Sequence, residues 1–183
     1  MTADQLADAF PSIERIEDDD LRASVREAWA TAMAENGIDS LESLPWYPPA
    51  QRKLDLPDET FVAHVRDVVA GALALGEMLI EHRDADLDLD RLLAGALVHD
   101  VSKLYEFDGM ESTRIEELLG HPYYGVYVTA AAGLPVEVTH MVLSHTSRTA
   151  VEPATLEAVV LRRADEAAAA AIRWEATDDL REV

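Results

Sequence analysis

Apolar residues recur at helical spacing along almost the whole of this chain, and no stretch alternates convincingly between apolar and polar as a half-buried strand must. That restricts the fold class to all-α. Between residues 12 and about 36, Ile13, Ile16, Leu21, Val25, Trp29 and Met33 share a face, and Gly37 follows as a stop. Leu44-Pro45-Trp46-Tyr47-Pro48-Pro49 cannot be helix interior and is predicted to be a connector. Asp58 is predicted to cap a helix running to about Arg83, with Phe61, Val65, Val68, Val69, Leu73 and Leu79 as its apolar residues. The next helix starts at Asp88 or Asp90 and runs through Leu92, Leu93, Ala96 and Leu97 to about Lys103. After a loop at Asp108-Gly109, helices are expected over 112–119, 121–132, 135–146 and 153–175, with Pro135 and Pro153 at first-turn positions. There is no internal repeat and no long linker. The expected architecture is an N-terminal helical extension, 1–55, and a helical domain, 56–183.

Composition narrows the function classes. A chain of 183 residues that is 49% hydrophobic can bury a core and is not a disordered segment. With no cysteine, disulfide scaffolds, thiolate zinc sites and cysteine nucleophiles are excluded. The net charge of −21 opposes non-specific nucleic-acid binding, which needs cations to displace phosphate counterions. Lys53 and Lys103 are the only lysines. An acidic shell of this kind self-repels in dilute salt and is tolerable where the Debye length falls to about 3 Å, near 1 M. The composition resembles that of proteins from salt-accumulating halophiles. No signal peptide opens the sequence, and the longest uncharged stretch, Leu118 to Val136, is broken by His121, Pro122, Pro135 and glycines. It reads as buried helix rather than a membrane span, so a cytoplasmic protein is expected.

The chemistry lies in histidines and aspartates that point inward. His64 shares its helix face with Phe61, Val68 and Gly71, and His145 lies with Val138, Met141 and Val142. Asp165 sits among Leu161, Ala168 and Ile172, and a carboxylate on an apolar face needs a partner charge or a metal. His99 and Asp100 are adjacent at the end of an apolar helix, about 100° apart around its axis, so they can converge on one ion. A lone inward histidine is ordinarily a hydrogen-bonded core residue. Four of them with two aspartates point instead to a shared site, and their nitrogen and oxygen donors suit first-row divalent metals rather than calcium.

In order and local sequence, these residues resemble the HD-domain superfamily of metal-dependent phosphohydrolases. The matching text is Phe-Val-Ala-His64-Val-Arg, Ala-Leu-Val-His99-Asp100-Val-Ser-Lys103 and Leu-Arg-Arg-Ala-Asp165-Glu, and the resemblance covers roughly residues 58–175. It implies a helical bundle in which His64, His99, Asp100 and Asp165 hold a metal ion. Gly120-His121-Pro122 and Leu143-Ser144-His145 fall between the His-Asp pair and Asp165, as in the binuclear branch of that superfamily. The resemblance then implies a second ion on Asp100, His121 and His145. The expected cofactor is one or two divalent ions (Mn, Fe, Zn, Ni, Co or Mg), and the expected reaction is hydrolysis of a small phosphoester, with a nucleotide as one candidate, by metal-bound hydroxide.

Asp100 and Lys103 are the candidate catalytic residues. Lys103 lies one turn past the His-Asp pair and, with Arg148 and Arg162, is a candidate for holding substrate phosphate. Arg66 is a further one, and Tyr123 and Tyr124 could line a pocket or pack in the core. His82 and His140 are read as structural or surface residues. Trp29, Trp46 and Tyr47 suggest that the extension docks on the bundle or on a partner chain. Two other functions share the ligand set: a di-iron oxygenase of the same superfamily, and a non-catalytic domain that binds metal or nucleotide.

Overall fold

A computed structural model describes residues 3–56, 59–174, 176, 177, 179 and 180. The described chain is an all-α bundle with one two-residue hairpin. Helix α1 (Ala3–Ala9) and a 3-10 turn (Pro11–Arg15) precede α2 (Asp19–Glu35). The continuous helix expected from residue 12 is therefore broken at Ile16–Asp18. Asp18 accepts hydrogen bonds from the backbone N–H groups of Asp20 and Leu21, so it caps a new helix instead of extending the old one. Gly37 has φ of +63° and ends this segment as expected.

The proline-rich connector holds a short helix of its own, α3 (Pro48–Leu54), with the prolines in its first turn where a missing N–H costs nothing. Helix α4 (Phe61–Arg83) is capped by Thr60, whose hydroxyl accepts from Ala63 N at 3.2 Å. The cap expected at Asp58 lies outside the described residues. Asp88 caps α5 (Leu89–Val98), accepting from Arg91 N. Helix α5 stops before the His-Asp pair instead of reaching Lys103, and α6 (Lys103–Glu106) follows as a separate turn. Strands β1 (Phe107–Asp108) and β2 (Glu111–Ser112) pair across Gly109-Met110, a hairpin that the helical periodicity did not indicate. The remaining helices are α7 (Arg114–Leu118), α8 (His121–Ala131), α9 (Val136–Ser144) and α10 (Leu156–Trp174). Pro135 caps α9, and Pro153 lies ahead of α10.

Helix α4 packs along both α5 and α10, and α9 closes the bundle against α5. Close approach matters at Gly95, where an added Cβ would stand 2.7 Å from Met141 Cε, so α5 and α9 meet almost backbone to side chain. The extension does not form its own core. Phe10, Ile13, Val25, Trp29 and Met33 belong to the same buried cluster as Val65, Leu92, Leu97 and Leu161. The fold thus carries the ends of α4, α5, α8, α9 and the middle of α10 to one point. No helix among the described residues is long and apolar enough to cross a membrane.

Candidate metal centre

Each of the six residues singled out above reaches that point, and the local structure explains how. His64 projects from the first turn of α4 and is 1% exposed. His99 and Asp100 occupy the tight turn that ends α5, both buried. The turn is held by the bonds Val101 N to Val98 O and Lys103 N to Asp100 O. His121 opens α8 after Gly120, whose φ of +75° turns the chain inward. His145 caps the C-terminus of α9, and Asp165 lies midway along α10.

Asp100 is the hinge of the arrangement. Its Oδ2 lies 3.4 Å from His64 Nε2 and 3.3 Å from His99 Nε2. Its Oδ1 lies 3.3 Å from His121 Nε2 and 3.7 Å from His145 Nε2. The two oxygens of one carboxylate therefore face two different histidine pairs. Asp165 joins the first pair, with Oδ1 3.2 Å from His64 Nε2 and 3.8 Å from His99 Nε2. The Nε2 atoms of His121 and His145 stand 3.3 Å apart.

His64 Nε2 and His99 Nε2 are buried without a hydrogen-bond partner among the described residues, and apart from the Lys103 ammonium on Oδ2 the Asp100 oxygens meet only histidine nitrogens. Buried polar atoms in that condition cost about 1–3 kcal/mol each, so a cluster of them calls for a ligand. Donor atoms sharing one divalent ion at about 2.1 Å stand about 3.0–3.4 Å apart in octahedral or tetrahedral arrangements. Five of the seven separations here fall in that range, the other two are 3.7 and 3.8 Å, and the residues fit divalent ions of the first transition row.

Second contacts orient the rings. His99 Nδ1 lies 2.8 Å from Ala96 O and His145 Nδ1 2.7 Å from Val142 O, contacts that make Nδ1 the donor and leave the Nε2 lone pair for the centre. For His121 the same task falls to Glu106, fully buried, whose Oε2 lies 3.1 Å from Nδ1 and whose Oε1 accepts from the His121 backbone N–H. Nothing in the spacing of Glu106 marks it in the sequence. Electrostatics agree with the geometry. Burial alone would raise the Asp100 carboxyl, yet Lys103, His99 and His121 together hold it well below the usual carboxylate range. Burial likewise opposes ionisation of Asp165, and its contacts with His64, His145 and His99 overcome that. Burial pushes His145 down to about 3, so the ring stays neutral and able to ligate. For His99 burial works downward, but Asp100 and Asp165 outweigh it and the net displacement is upward.

Above the centre lies an open cavity of about 100 Å³. Lys103 Nζ stands at its edge, 2.6 Å from Asp100 Oδ2 and 5.6 Å from the ring centre of Tyr47. Arg148 lines the same cavity, 5.8 Å from that ring and ion-paired with Glu116 at 3.4 Å. Arg162 does not line it. Its guanidinium pairs with Glu152 at 2.9 Å and Glu166 at 3.2 Å. Arg66 is also elsewhere, donating to the Asp8 and Ala9 carbonyls. Arg173 takes the place expected for Arg162. Spaced at i, i+4 and i+8, Asp165, Ala169 and Arg173 all line the cavity, a periodicity that could have revealed Arg173 from the sequence. Trp46 and Tyr47 complete the wall, so the extension docks on the bundle at the site itself. His82 is exposed, and His140 Nε2 accepts from Ala154 N, the structural roles expected of both. Tyr123 is exposed, and Tyr124 packs against the core.

Comparison with known proteins agrees with this geometry. The chain is 27% identical over 168 residues to the dihydroneopterin 2',3'-cyclic phosphate phosphodiesterase of Methanocaldococcus jannaschii, a match covering 84% of this chain. It spans 65% of the length of that relative. No solved structure matches. The family model described as the HD domain matches residues 61–170, which is more than half of the chain and includes all six clustered residues. The chain therefore belongs to the HD-domain family.

Proposed function

We propose that this protein is a metal-dependent phosphohydrolase acting on a small phosphodiester, with a cyclic phosphate as the first class to test. The observation that carries the reading is the split Asp100 carboxylate, whose two oxygens each face a histidine pair beneath a cavity rimmed by cations. His64, His99, Asp100 and Asp165 would hold one divalent ion; Asp100, His121 and His145 would hold a second. Bound there, such a pair lowers the pKa of water and neutralises charge on the phosphoryl oxygens. The phosphodiesterase named among its relatives supports the choice of diester over other substrates.

The chain's own residues supply positioning and charge. Asp100 fixes the spacing of the two ligand sets and stays ionised at neutral pH. Lys103, 10% exposed in its side chain and braced against Asp100 and Tyr47, brings a cation to the reacting phosphate at small entropic cost. Arg148 and Arg173 approach from the other sides and suit the remaining anionic oxygens, Arg148 by way of its planar fork. Glu106 holds His121 Nδ1–H and so keeps Nε2 directed inward. In the acidic, lysine-poor background these cations are concentrated where an anion must enter, and salt near 1 M screens the surrounding repulsion. We place the protein in a high-salt cytoplasm on that ground.

The test is metal content and phosphoester cleavage measured together in about 1 M KCl. After reconstitution with each of Mn, Fe, Co, Ni, Zn and Mg, the expected result is two ions per chain and metal-dependent cleavage of bis(p-nitrophenyl) phosphate and a nucleoside 2',3'-cyclic phosphate. Two bound irons with oxygen consumption and no P–O cleavage would replace this reading with an oxygenase.

A further inference from the structure

Contacts between cations and aromatic rings are concentrated at one place in this molecule. Those among the described residues all lie over the metal centre, and all use the connector dipeptide Trp46-Tyr47. Lys103 Nζ stands 5.6 Å and the Arg148 guanidinium 5.8 Å from the centre of the same Tyr47 ring, and the Arg173 guanidinium stands 5.3 Å from that of Trp46. Lys103, Arg148 and Arg173 are also the lysine and arginines that line the cavity. Elsewhere acids take the cations: Arg22 pairs with Asp19, Arg26 with Glu14, and Arg162 with Glu152 and Glu166.

Tyr47 is held by a framework that does not depend on the cations. Its backbone N–H donates to Gln51 Oε1 and its carbonyl accepts from Gln51 N, both at 3.0 Å. Pro45 bridges to Thr60, and the Trp46 N–H donates to Glu59 O at 3.2 Å, which ties the connector to the start of α4. The Tyr47 ring meets Phe107 of β1 edge-on, with centres 5.9 Å apart. The acids hold Arg148 loosely by comparison. Its Nη2 is 3.4 Å from Glu116 and its Nη1 3.8 Å from Glu106, both longer than the about 2.7–2.9 Å of a charge-assisted hydrogen bond.

We infer that Tyr47 is a positioning residue for substrate phosphate: its ring, not its hydroxyl, holds Lys103 and Arg148 over the centre before the anion arrives. The inference rests on the phosphohydrolase reading of that centre. Two cations gathered at an anion site repel each other, and in a chain of net charge −21 each has carboxylates to leave for. A carboxylate holds a cation by cancelling its charge. An aromatic face attracts it through the ring quadrupole and leaves the charge free to act on a phosphate. The contacts already exist in the free protein, so they lower the cost of binding and act on KM more than on kcat.

Steady-state cleavage of bis(p-nitrophenyl) phosphate and calorimetric binding of inorganic phosphate, both on the metal-loaded full chain, test this. Tyr47→Leu should raise KM and weaken phosphate binding about five- to twentyfold, the worth of two ring–cation contacts. The accompanying change in kcat should be less than about threefold. Tyr47→Phe keeps the ring and should stay within about twofold of the wild type in both measurements. Replacing Tyr47 by 3,4,5-trifluorophenylalanine keeps the shape of a phenyl ring and removes most of its quadrupole. That protein should behave like Tyr47→Leu, and it serves if Tyr47→Leu does not fold. A fluorinated ring that binds phosphate as well as Tyr47→Phe does, or a Tyr47→Phe as weak as Tyr47→Leu, would overturn the inference. Absence of cleavage in the wild type removes the phosphohydrolase reading, and the phosphate affinities still decide the role of the ring. Cleavage with affinities indifferent to the ring removes the Tyr47 proposal alone.

Discussion

Gln51 and Asp100 are both buried polar side chains, and their surroundings follow opposite rules. Gln51 is 4% exposed, its Oε1 accepts from Tyr47 N at 3.0 Å, and its Nε2 donates to the carbonyls of Leu56 and Glu59 at 2.8 and 2.9 Å. It closes the loop that carries Trp46 and Tyr47 to the cavity. Asp100 is as deeply buried, but beyond the Lys103 ammonium on Oδ2 its oxygens face histidine nitrogens without hydrogen-bond geometry. One site spends its polar atoms on the chain itself; the other keeps them for a ligand. Polar burial thus marks function only where satisfaction fails.

The largest effect that separates the two sites is expected from Asp100→Ala. Asp100 alone contributes to both ligand triads found among the described residues, so its loss should remove both ions and lower phosphoester cleavage by a factor of about 10³ or more. Mass-spectrometric metal content and turnover check this together. Wild-type metal in the variant would break the comparison, because the unsatisfied atoms would then have another purpose.

Chelation is expected to act next in size. Ions present at about 100 times their dissociation constant stabilise the fold by about 2.7 kcal/mol, so their removal should lower the melting temperature by about 5–10 °C. The stripped protein should also acquire a pH optimum. His145 is held neutral down to about 3, whereas in the unfolded chain it protonates near 6.5. The unfolded state therefore binds its proton first, and stability falls as pH drops from about 6.5 toward 3. His99 is displaced upward, so its contribution is complete below 6.5 and is lost as pH rises through its folded value. Asp100 and Asp165, both depressed, lose theirs only at lower pH still. Urea midpoints of the stripped protein at pH 5, 6.5 and 8 should peak at the middle value.

Gln51→Leu should behave in the opposite manner. It leaves the Tyr47 N–H and the Leu56 carbonyl without that side chain, while Glu59 O still accepts from Trp46 N, at a cost of about 1–3 kcal/mol, measurable by urea unfolding, and the ion count stays at the wild-type level. A variant that unfolds no earlier but loses its ions would show that the connector serves the centre rather than the fold.

The same contrast explains what the sequence discloses. Of the six clustered residues, His64, His145 and Asp165 are legible because a polar residue on an apolar face is conspicuous, His99-Asp100 as a pair at the end of an apolar helix, and His121 through the resemblance. The cap at Asp88, the end of α4 at Arg83 and the left-handed Gly37 follow from local chemistry and stand where expected. The end of α5 did not, because Val98 and Val101 continue its apolar period and no glycine or proline stands between Ala96 and Lys103; the turn at His99-Asp100 is held by its own backbone bonds. Trp46 reaches His64 only because the chain doubles back through the Pro45–Thr60 bridge, a long-range event with no local signature.

The arginines give the finest version of the comparison. Arg148 and Arg162 are alike in sequence terms, each one turn or so from a ligand, but Arg148 faces the cavity while Arg162 is held by Glu152 and Glu166. Arg148→Ala should raise KM for a phosphodiester about tenfold with a smaller change in kcat, as expected when an anion contact made in the ground state is lost. Arg162→Ala should cost less than about 1 kcal/mol in stability, the ordinary worth of a surface pair, and should move KM less than Arg148→Ala does. Steady-state kinetics of the two variants on one substrate decide the order. If Arg162→Ala raised KM more, its ion pairs would have to open when substrate binds, and the cavity wall on that side would be mobile rather than fixed.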